Sequence, residues 1–291
     1  MRDEILEKYR TAGEIASRIL KEGAQGIRVG SSYLELVELV EGQVAEEGAA
    51  LAFPLNLSLN EDAAHDTASR EDCRVFAKGD VAKLDLGVQI DGFIADTATT
   101  VDLGNNSLLV DASQAALEAA INLVRPGATT GELGTAIQKE IEGRGYRPIS
   151  NLTGHGLDQY VQHTSPTIPN IGINGGTILE EGMVFAIEPF ATTGSGHVSE
   201  KSRIEIFSQI SAKPVRIPAA RSILDGIKER NGLPFARRWL GDRKQDLALP
   251  NLVRTQILHA YPVLADVPGS LVSQHEHTMI VTEDGCIVTT I

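Results

Sequence analysis

Two aspartates, Asp85 and Asp96, flank a strong turn signal at Asp91-Gly92. Asp-Gly favours a tight hairpin, because both residues tolerate the positive φ that a type I′ turn requires. A two-residue turn pairs Ile90 with Phe93 and places both aspartates on one face of the sheet, a diagonal step apart. Two like charges this close indicate a cation bound between them.

Four other local clusters contain side chains that can bind a metal ion. They are Ala64-His65, the pair Gly154-His155 and Gln162-His163, Ile187-Glu188, and His275-Glu276-His277. Each has an ordinary explanation when it is taken alone. A histidine in a loop, as we expect for His155, is usually solvated, and Glu276 could belong to a polar edge strand. A carboxylate in an apolar strand, such as Glu188, could form a buried salt bridge, although residues 183–190 contain no basic partner.

Taken together, the clusters indicate a metal centre. Four carboxylates fall on predicted strands, which are rigid supports for a site; they are Asp85, Asp96, Glu188 and Glu276. With one imidazole they form an oxygen-rich donor set without thiolate, which suits Mn²⁺, Fe²⁺, Co²⁺ or Zn²⁺. Four converging negative charges call for about two divalent cations, and carboxylate-bridged metal pairs serve aminopeptidases, phosphatases and nucleases.

Hydrophobic periodicity predicts the elements that must carry these residues. Apolar spacing predicts helices over 3–22, 32–47, 112–124 and 131–144, and a largely helical stretch over 218–262. Strands are predicted over 52–60, in the hairpin, and over 182–191, 203–210, 270–281 and 286–291. We therefore predict one domain, 1–291, with a helical insertion over 211–262.

A weak internal repeat aligns Lys78–Asp85 with Glu181–Glu188, since in both segments a Gly-x-Val opens an apolar strand that ends in a carboxylate. Any turn followed by a strand can look like this. If the two halves are instead related by a pseudo-twofold axis, Asp85 and Glu188 face each other across it.

Composition excludes several classes of protein. The chain of 291 residues carries a net charge of −13, which argues against a nucleic-acid-binding surface. Two cysteines are too few for a disulfide framework or a zinc–thiolate site. Neither a secretion signal nor an apolar stretch of membrane-spanning length is present, so we predict a cytoplasmic protein without a membrane partner. No apolar face calls for a second copy, which predicts a monomer.

The ordered set Asp85, Asp96, His155, Glu188 and Glu276 resembles the ligand set of the methionine aminopeptidase, prolidase and creatinase superfamily. From about residue 10 to the end, the chain is most similar to the short archaeal form of the type II methionine aminopeptidases. The matching segments are Ala52–Asn60 before His65, Asp85–Ala98, Asn151–His155 with Ile168–Asn170, Phe185–Phe190 and Gln274–Thr278. The long 211–262 stretch resembles the type II insertion, and the chain has no prodomain like those of prolidases.

This resemblance implies an α/β (α+β) "pita-bread" fold, with antiparallel sheets related by a pseudo-twofold axis and flanked by helices. The chain departs from the family at His275, where an aromatic residue is usual, and at Thr164-Ser165 after His163, where glycine is common. Both departures bear on the shape of the pocket.

The resemblance also implies a metal-dependent hydrolase that removes the initiator methionine from nascent proteins, at the ribosome, when the second residue is small. Asp96 and Glu276 would bridge two metal ions, Asp85 would complete one ion's shell, and His155 with Glu188 would complete the other's. Glu188 would shuttle a proton to the leaving amine.

His163 would donate to the developing oxyanion, and His65 would hold the scissile amide. Phe53, Phe190 and Tyr261 could line an apolar slot for the methionine thioether. Three alternatives are an X-Pro dipeptidase, a non-catalytic pita-bread module that binds peptides or ribosomes, and a dinuclear phosphoesterase. The last lacks a P-loop or any glycine-rich phosphate cradle.

Overall fold

The computed structural model describes residues 1–241 and 246–291 as antiparallel sheets with helices packed on their outer faces. The helices are α1 (Asp3–Gly26), α2 (Tyr33–Glu46), α3 (Ser107–Ile121), α4 (Thr130–Gly143), α5 (Pro218–Gly226) and α6 (Leu249–Arg254). Their starts follow local chemistry: the Ser32 side chain caps α2, and Thr129 with Glu132 forms a capping box for α4. None of the helices in the described residues is long and apolar enough to cross a membrane.

The strands of the first half are β1 (Ala50–Leu51), β2 (Asn56–Leu59), β3 (Asp62–Ala64), β4 (Val81–Ile90), β5 (Phe93–Asp102), β6 (Arg147–Pro148), β7 (Thr153–Asp158) and β8 (Val161–Pro169). Those of the second half are β9 (Val184–Ile187), β10 (Phe190–Thr192), β11 (Ser199–Gln209), β12 (Phe235–Ala236), β13 (Leu258–Ala265), β14 (Val272–Gln274), β15 (His277–Val281) and β16 (Cys286–Val288).

The predicted hairpin forms with the predicted register. Strands β4 and β5 pair Ile90 with Phe93 and Gly87 with Asp96, and Asp91 and Gly92 have φ of +51° and +88°. The face opposite the aspartates carries fully buried leucine and valine side chains that pack against α1 and α2. Burial of one apolar face fixes the register, since a slip by one residue would turn these side chains to the other face.

The hairpin belongs to a first sheet, in which β4 pairs with β1, β2 and β5. A second sheet, in the order β16, β15, β9, β7 and β8, packs on α3 and α4. The two sheets meet along β5, where Ala98 forms a bridge with Glu276. Thr278 strengthens this seam, because its Oγ1 accepts from the backbone N–H of Asp96 at 2.8 Å and donates to the Asp96 carbonyl at 2.9 Å.

A third sheet has the order β12, β11, β13 and β3. Its strand β12 and the start of β13 fall in the segment 211–262, which was predicted to be a helical insertion. Its outer face packs on α5 and α6. The helical character predicted for 218–262 is wrong at β12 and at the start of β13. Residues 242–245 of that segment lie outside the described residues, and the 211–262 boundaries stay a prediction.

Candidate active site

A cavity of about 650 Å³ opens between the sheets. All five predicted ligands line it: Asp85, Asp96, His155, Glu188 and Glu276. The cavity wall also contains His65 and His163. The fold therefore brings together residues that lie up to about two hundred positions apart in the sequence.

The five side chains come from different elements. Asp85 lies on β4 and Asp96 on β5, as predicted. Glu188 directly follows β9, and Glu276 lies between β14 and β15, so both stand at strand ends rather than within strands. The loop predicted for His155 is wrong, because this residue lies on β7 and pairs with Ala186 of β9.

The ligand atoms converge on one spot. One atom each of Asp96, His155 and Glu276 lies within 4.8 Å of the others. Nε2 of His155 is 3.7 Å from Oδ2 of Asp96 and 3.5 Å from Oε1 of Glu188. Asp85 and Glu188, one from each half of the chain, line the same cavity.

Burial makes this convergence costly without a cation. Oδ1 of Asp85 and Oδ1 of Asp96 are buried and have no hydrogen-bond partner among the described residues. Burial raises the pKa of Asp85 to about 7. Burial, and then the charges of Asp85 and Glu188, raise the pKa of Asp96 well above its usual value. Partnerless carboxylate oxygens in a buried, like-charged cluster are what a divalent cation would satisfy, so the donor set fits metal binding.

The remaining ligands suit the same role. Burial lowers the pKa of His155 to about 3, so its imidazole is neutral and able to bind a cation. Burial also raises the pKa of Glu188 and of Glu276 well above the usual glutamate value. All of these pKa shifts disfavour the charged form of a buried side chain. A bound metal ion would compensate the carboxylate charges and remove that penalty.

Gln274 is a functional residue to which the sequence analysis gave no role. Its Nε2 lies 3.4 Å from Oδ2 of Asp85 and 3.3 Å from Oε2 of Glu276, and it donates to both. The side chain is buried, so it orients the carboxylate of Asp85 on β4 and that of Glu276 between β14 and β15. Its only signal in the sequence is an amide two residues before Glu276.

His65 is held in a strained backbone conformation, with φ of +64°. Its Nδ1 lies 3.2 Å from the Pro262 carbonyl. A carbonyl oxygen only accepts, so Nδ1 carries the proton and Nε2 is left as an acceptor. Burial lowers the pKa of His65 to about 4, which keeps the ring neutral.

The residue after His65 anchors this conformation. Asp66 is fully buried and accepts from the guanidinium groups of Arg74 and Arg203, the latter at 2.9 Å. The backbone carbonyl of Asp66 also accepts from the Leu57 N–H at 2.8 Å. These contacts offset the energetic cost of the left-handed backbone conformation at His65, whose side chain lines the cavity.

His163 lies on β8, with its ring 4.4 Å from the ring of His155 in an edge-to-face arrangement. Burial lowers its pKa, so this imidazole is also neutral. Its neighbours Thr164 and Ser165 line the cavity, where they shape its wall.

Of the predicted aromatic lining, Phe53 and Phe190 border the main cavity. Tyr261 instead borders a small adjoining pocket, together with Phe53, His65 and His163. The Tyr261 ring lies 5.4 Å from that of His65. The three aromatic residues predicted to form one slot for the thioether therefore border two pockets, Phe190 the main cavity, Tyr261 the side pocket and Phe53 both.

His275 does not line the cavity. Its Nδ1 lies 2.8 Å from Oγ of Ser113 on α3, whereas the next side chain, Glu276, lines the cavity. The residue that departs from the family pattern therefore contacts a helix and is not part of the cavity wall.

Comparison with known proteins agrees with this geometry. The model of metallopeptidase family M24 matches residues 7–283. A methionine aminopeptidase of Archaeoglobus fulgidus is 50% identical over 291 residues and is covered fully in both directions. One from Pyrococcus horikoshii is 46% identical, over 98% of this chain and 99% of its own.

Solved structures show the same fold. A methionine aminopeptidase from Thermotoga maritima superposes with a TM-score of 0.75 at 25% identity, over 100% of this chain and 98% of its own. A prolidase from Pyrococcus furiosus gives 0.66 at 19% identity; this chain covers 64% of it, and the likeness shows the fold alone. The chain therefore belongs to metallopeptidase family M24, in which it groups with the archaeal methionine aminopeptidases.

Proposed function

We propose that this chain is a metal-dependent aminopeptidase that removes the initiator methionine from nascent proteins when the second residue is small. The observation that carries the proposal is the convergence of four carboxylates, buried at Asp96 and Glu276 and half-buried at Asp85 and Glu188, with a neutral imidazole in one cavity. Full-length similarity to methionine aminopeptidases supports the choice of substrate.

Asp85, Asp96, His155, Glu188 and Glu276 would hold two divalent ions, since four carboxylates need about two dications for neutrality. Mn²⁺, Fe²⁺, Co²⁺ and Zn²⁺ all suit these donors. Such ions, when bound, polarise a carbonyl group and lower the pKa of water towards 7.

The chain's own groups handle the proton and the peptide. Glu188 lines the cavity beside His155, where its carboxylate would take a proton from water and release it to the leaving amine. Nε2 of His65 can accept from the scissile amide N–H, because its Nδ1 is committed to Pro262. His163 would donate to the carbonyl oxygen as negative charge develops there.

The cavity also accounts for cleavage of one terminal residue. Carboxylate oxygens in its wall can accept hydrogen bonds from a free α-amino group, which an internal peptide segment lacks. The Phe53 and Phe190 rings offer an apolar surface for a thioether. Exclusion of large second residues is then steric.

Other assignments have less support. The prolidase match leaves about a third of that protein uncovered, and the identity is low. A non-catalytic module would have no need for a complete set of buried ligands. A monomer acting in the cytoplasm, at the ribosome, completes the proposal.

The test is a peptide assay. The purified chain with Mn²⁺ or Co²⁺ should release methionine from Met-Ala-Ser but not from Met-Lys-Ser. Asp96→Asn should abolish release while circular dichroism shows an intact fold. Turnover in excess chelator would contradict the metal requirement, and cleavage of X-Pro dipeptides alone would identify a dipeptidase.

A further inference from the structure

Asn56 lies in the wall of the main cavity and has no role in the proposal above. It sits on β2 and is 6% exposed. Its Nδ2 donates to the Pro54 carbonyl at 3.1 Å. A carbonyl only accepts hydrogen bonds, so this contact fixes the amide orientation and directs Oδ1 elsewhere. That Oδ1 is buried and has no hydrogen-bond partner among residues 1–241 and 246–291.

The neighbour of Asn56 on the sheet is Asp85. The two residues are directly paired across β2 and β4. Directly paired residues point their side chains to the same face, with Cβ atoms about 4.5–5.5 Å apart. Asn56 therefore presents an acceptor beside a carboxylate, and both side chains line the cavity.

Within the described residues, no N–H or O–H group donates to this oxygen. The Gln274 amide, which lies on the other side of Asp85, already donates to Asp85 and Glu276. A buried acceptor without a donor is unfavourable, so a ligand that brings a donor would gain from the contact.

The chemistry of an N-terminal methionine then selects one group. Its thioether and its carbonyl have no N–H or O–H, whereas its α-ammonium has three N–H groups and a positive charge. We infer that Oδ1 of Asn56 accepts a hydrogen bond from the α-ammonium of the substrate, which is held between Asn56 and the carboxylate cluster. This inference rests on the proposed function and adds a residue that recognises the free N-terminus.

Two competitive inhibitors test the contact. L-Methioninamide has the α-amino group, and 4-(methylthio)butanamide lacks it. In Asn56→Ala, the Ki of L-methioninamide should rise about tenfold or more, because a hydrogen bond to a charged group is lost. The Ki of 4-(methylthio)butanamide should stay within about twofold of the wild-type value. Asn56→Leu keeps the side-chain volume and should give the same pattern if Asn56→Ala folds poorly.

Asn151→Ala is the matched control. Asn151 also lines the cavity, but its Nδ2 donates to the Val198 carbonyl and its Oδ1 accepts from the Val198 N–H, both at 2.9 Å. Both amide ends are engaged, so the ratio of the two Ki values should not change in this variant.

Three results would overturn the inference. Equal weakening of both inhibitors in the Asn56 variants would point to a disturbed pocket. Loss of bound metal from the Asn56 variants, measured by plasma mass spectrometry, would make Oδ1 a metal ligand. Unchanged Ki values for both inhibitors would show that the contact does not form. If the wild type releases no methionine from Met-Ala-Ser, the proposed function fails instead.

Discussion

The ring of Phe53 lies against Gly87. A Cβ atom at position 87 would stand 2.2 Å from Cε1 of Phe53, far inside van der Waals contact. Gly87 pairs with Asp96 across the hairpin, so the ring and that carboxylate share one face of the sheet. Glycine at 87 therefore lets an apolar wall approach a charged site.

Gly87→Ala should displace the Phe53 ring. We expect the free energy of unfolding to fall by about 1–3 kcal/mol from overpacking. The KM for methionyl peptides should rise more than kcat falls. Thermal unfolding and steady-state kinetics measure both effects. Gly42→Ala is the control, since a Cβ there meets nothing within 4 Å. It should stabilise α2 by up to about 1 kcal/mol and leave KM unchanged.

Gln274→Ala should weaken metal binding about 10–100-fold, because Asp85 and Glu276 lose the amide that orients them. Competition with a chromogenic chelator measures the change. Gln138→Ala is a suitable control, since Gln138 donates on the protein surface to Glu142. Equal metal affinity in the two variants would show that the amide plays no part.

Asp66→Asn should remove one of the two carboxylate charges that hold Arg74 and Arg203; the other belongs to Asp72. Because both arginine side chains are about a third exposed, the free energy of unfolding should fall by about 1–3 kcal/mol. His65 should lose its fixed position, so kcat/KM should fall while the bound metal is retained. Glu61→Gln removes a partially exposed ion pair with Lys201, and should cost at most about 1 kcal/mol. Loss of stability with unchanged kcat/KM would show that Asp66 does not position His65 for catalysis.

In the metal-free protein, the contribution of Asp85 to stability should fall as pH rises. Burial raises the pKa of Asp85 from 3.8 to about 7, so the folded chain keeps a proton there that the unfolded chain releases. Its stabilising contribution is complete below pH 3.8 and is lost as pH rises through about 7. The slope is about 1.4 kcal/mol per pH unit for each such carboxyl.

Urea unfolding of the wild type and of Asp85→Asn, with chelator present at pH 5 to 7, measures this slope as the difference between the two stabilities. The comparison is needed because His65 and His155, whose pKa values are lowered, contribute stability that rises with pH over this range. A difference that does not change with pH would contradict the raised pKa of Asp85.

The hairpin was predictable to the residue, because Asp91-Gly92 fixes the turn and the apolar face fixes the register. The strand that carries His155 was not. Gly154 and Gly156 suggest a loop, yet a Cβ at either position would lie 2.3 Å from the Ala186 carbonyl or 2.0 Å from that of Ser165. These glycines permit close strand packing, and only the partner strands reveal it.

Strand pairing also decides the structure at β13, where the predicted helical stretch ends at Pro262. This proline instead pairs with Ile204, at a point where the register of β11 shifts. Its carbonyl group accepts a hydrogen bond from His65. The ligand set came from residue types and a family resemblance. The supporting amides of Asn56 and Gln274 depend on neighbours across strands, which sequence spacing does not encode.

The seam between Ala98 and Glu276 also has a consequence for biosynthesis. A nascent chain that has produced the whole hairpin still lacks Glu276, which lies 180 residues beyond Asp96. The proposed metal site is therefore assembled only after the ribosome has passed residue 276. A chain interrupted between these points would hold the two aspartates without the carboxylate that meets them across the seam.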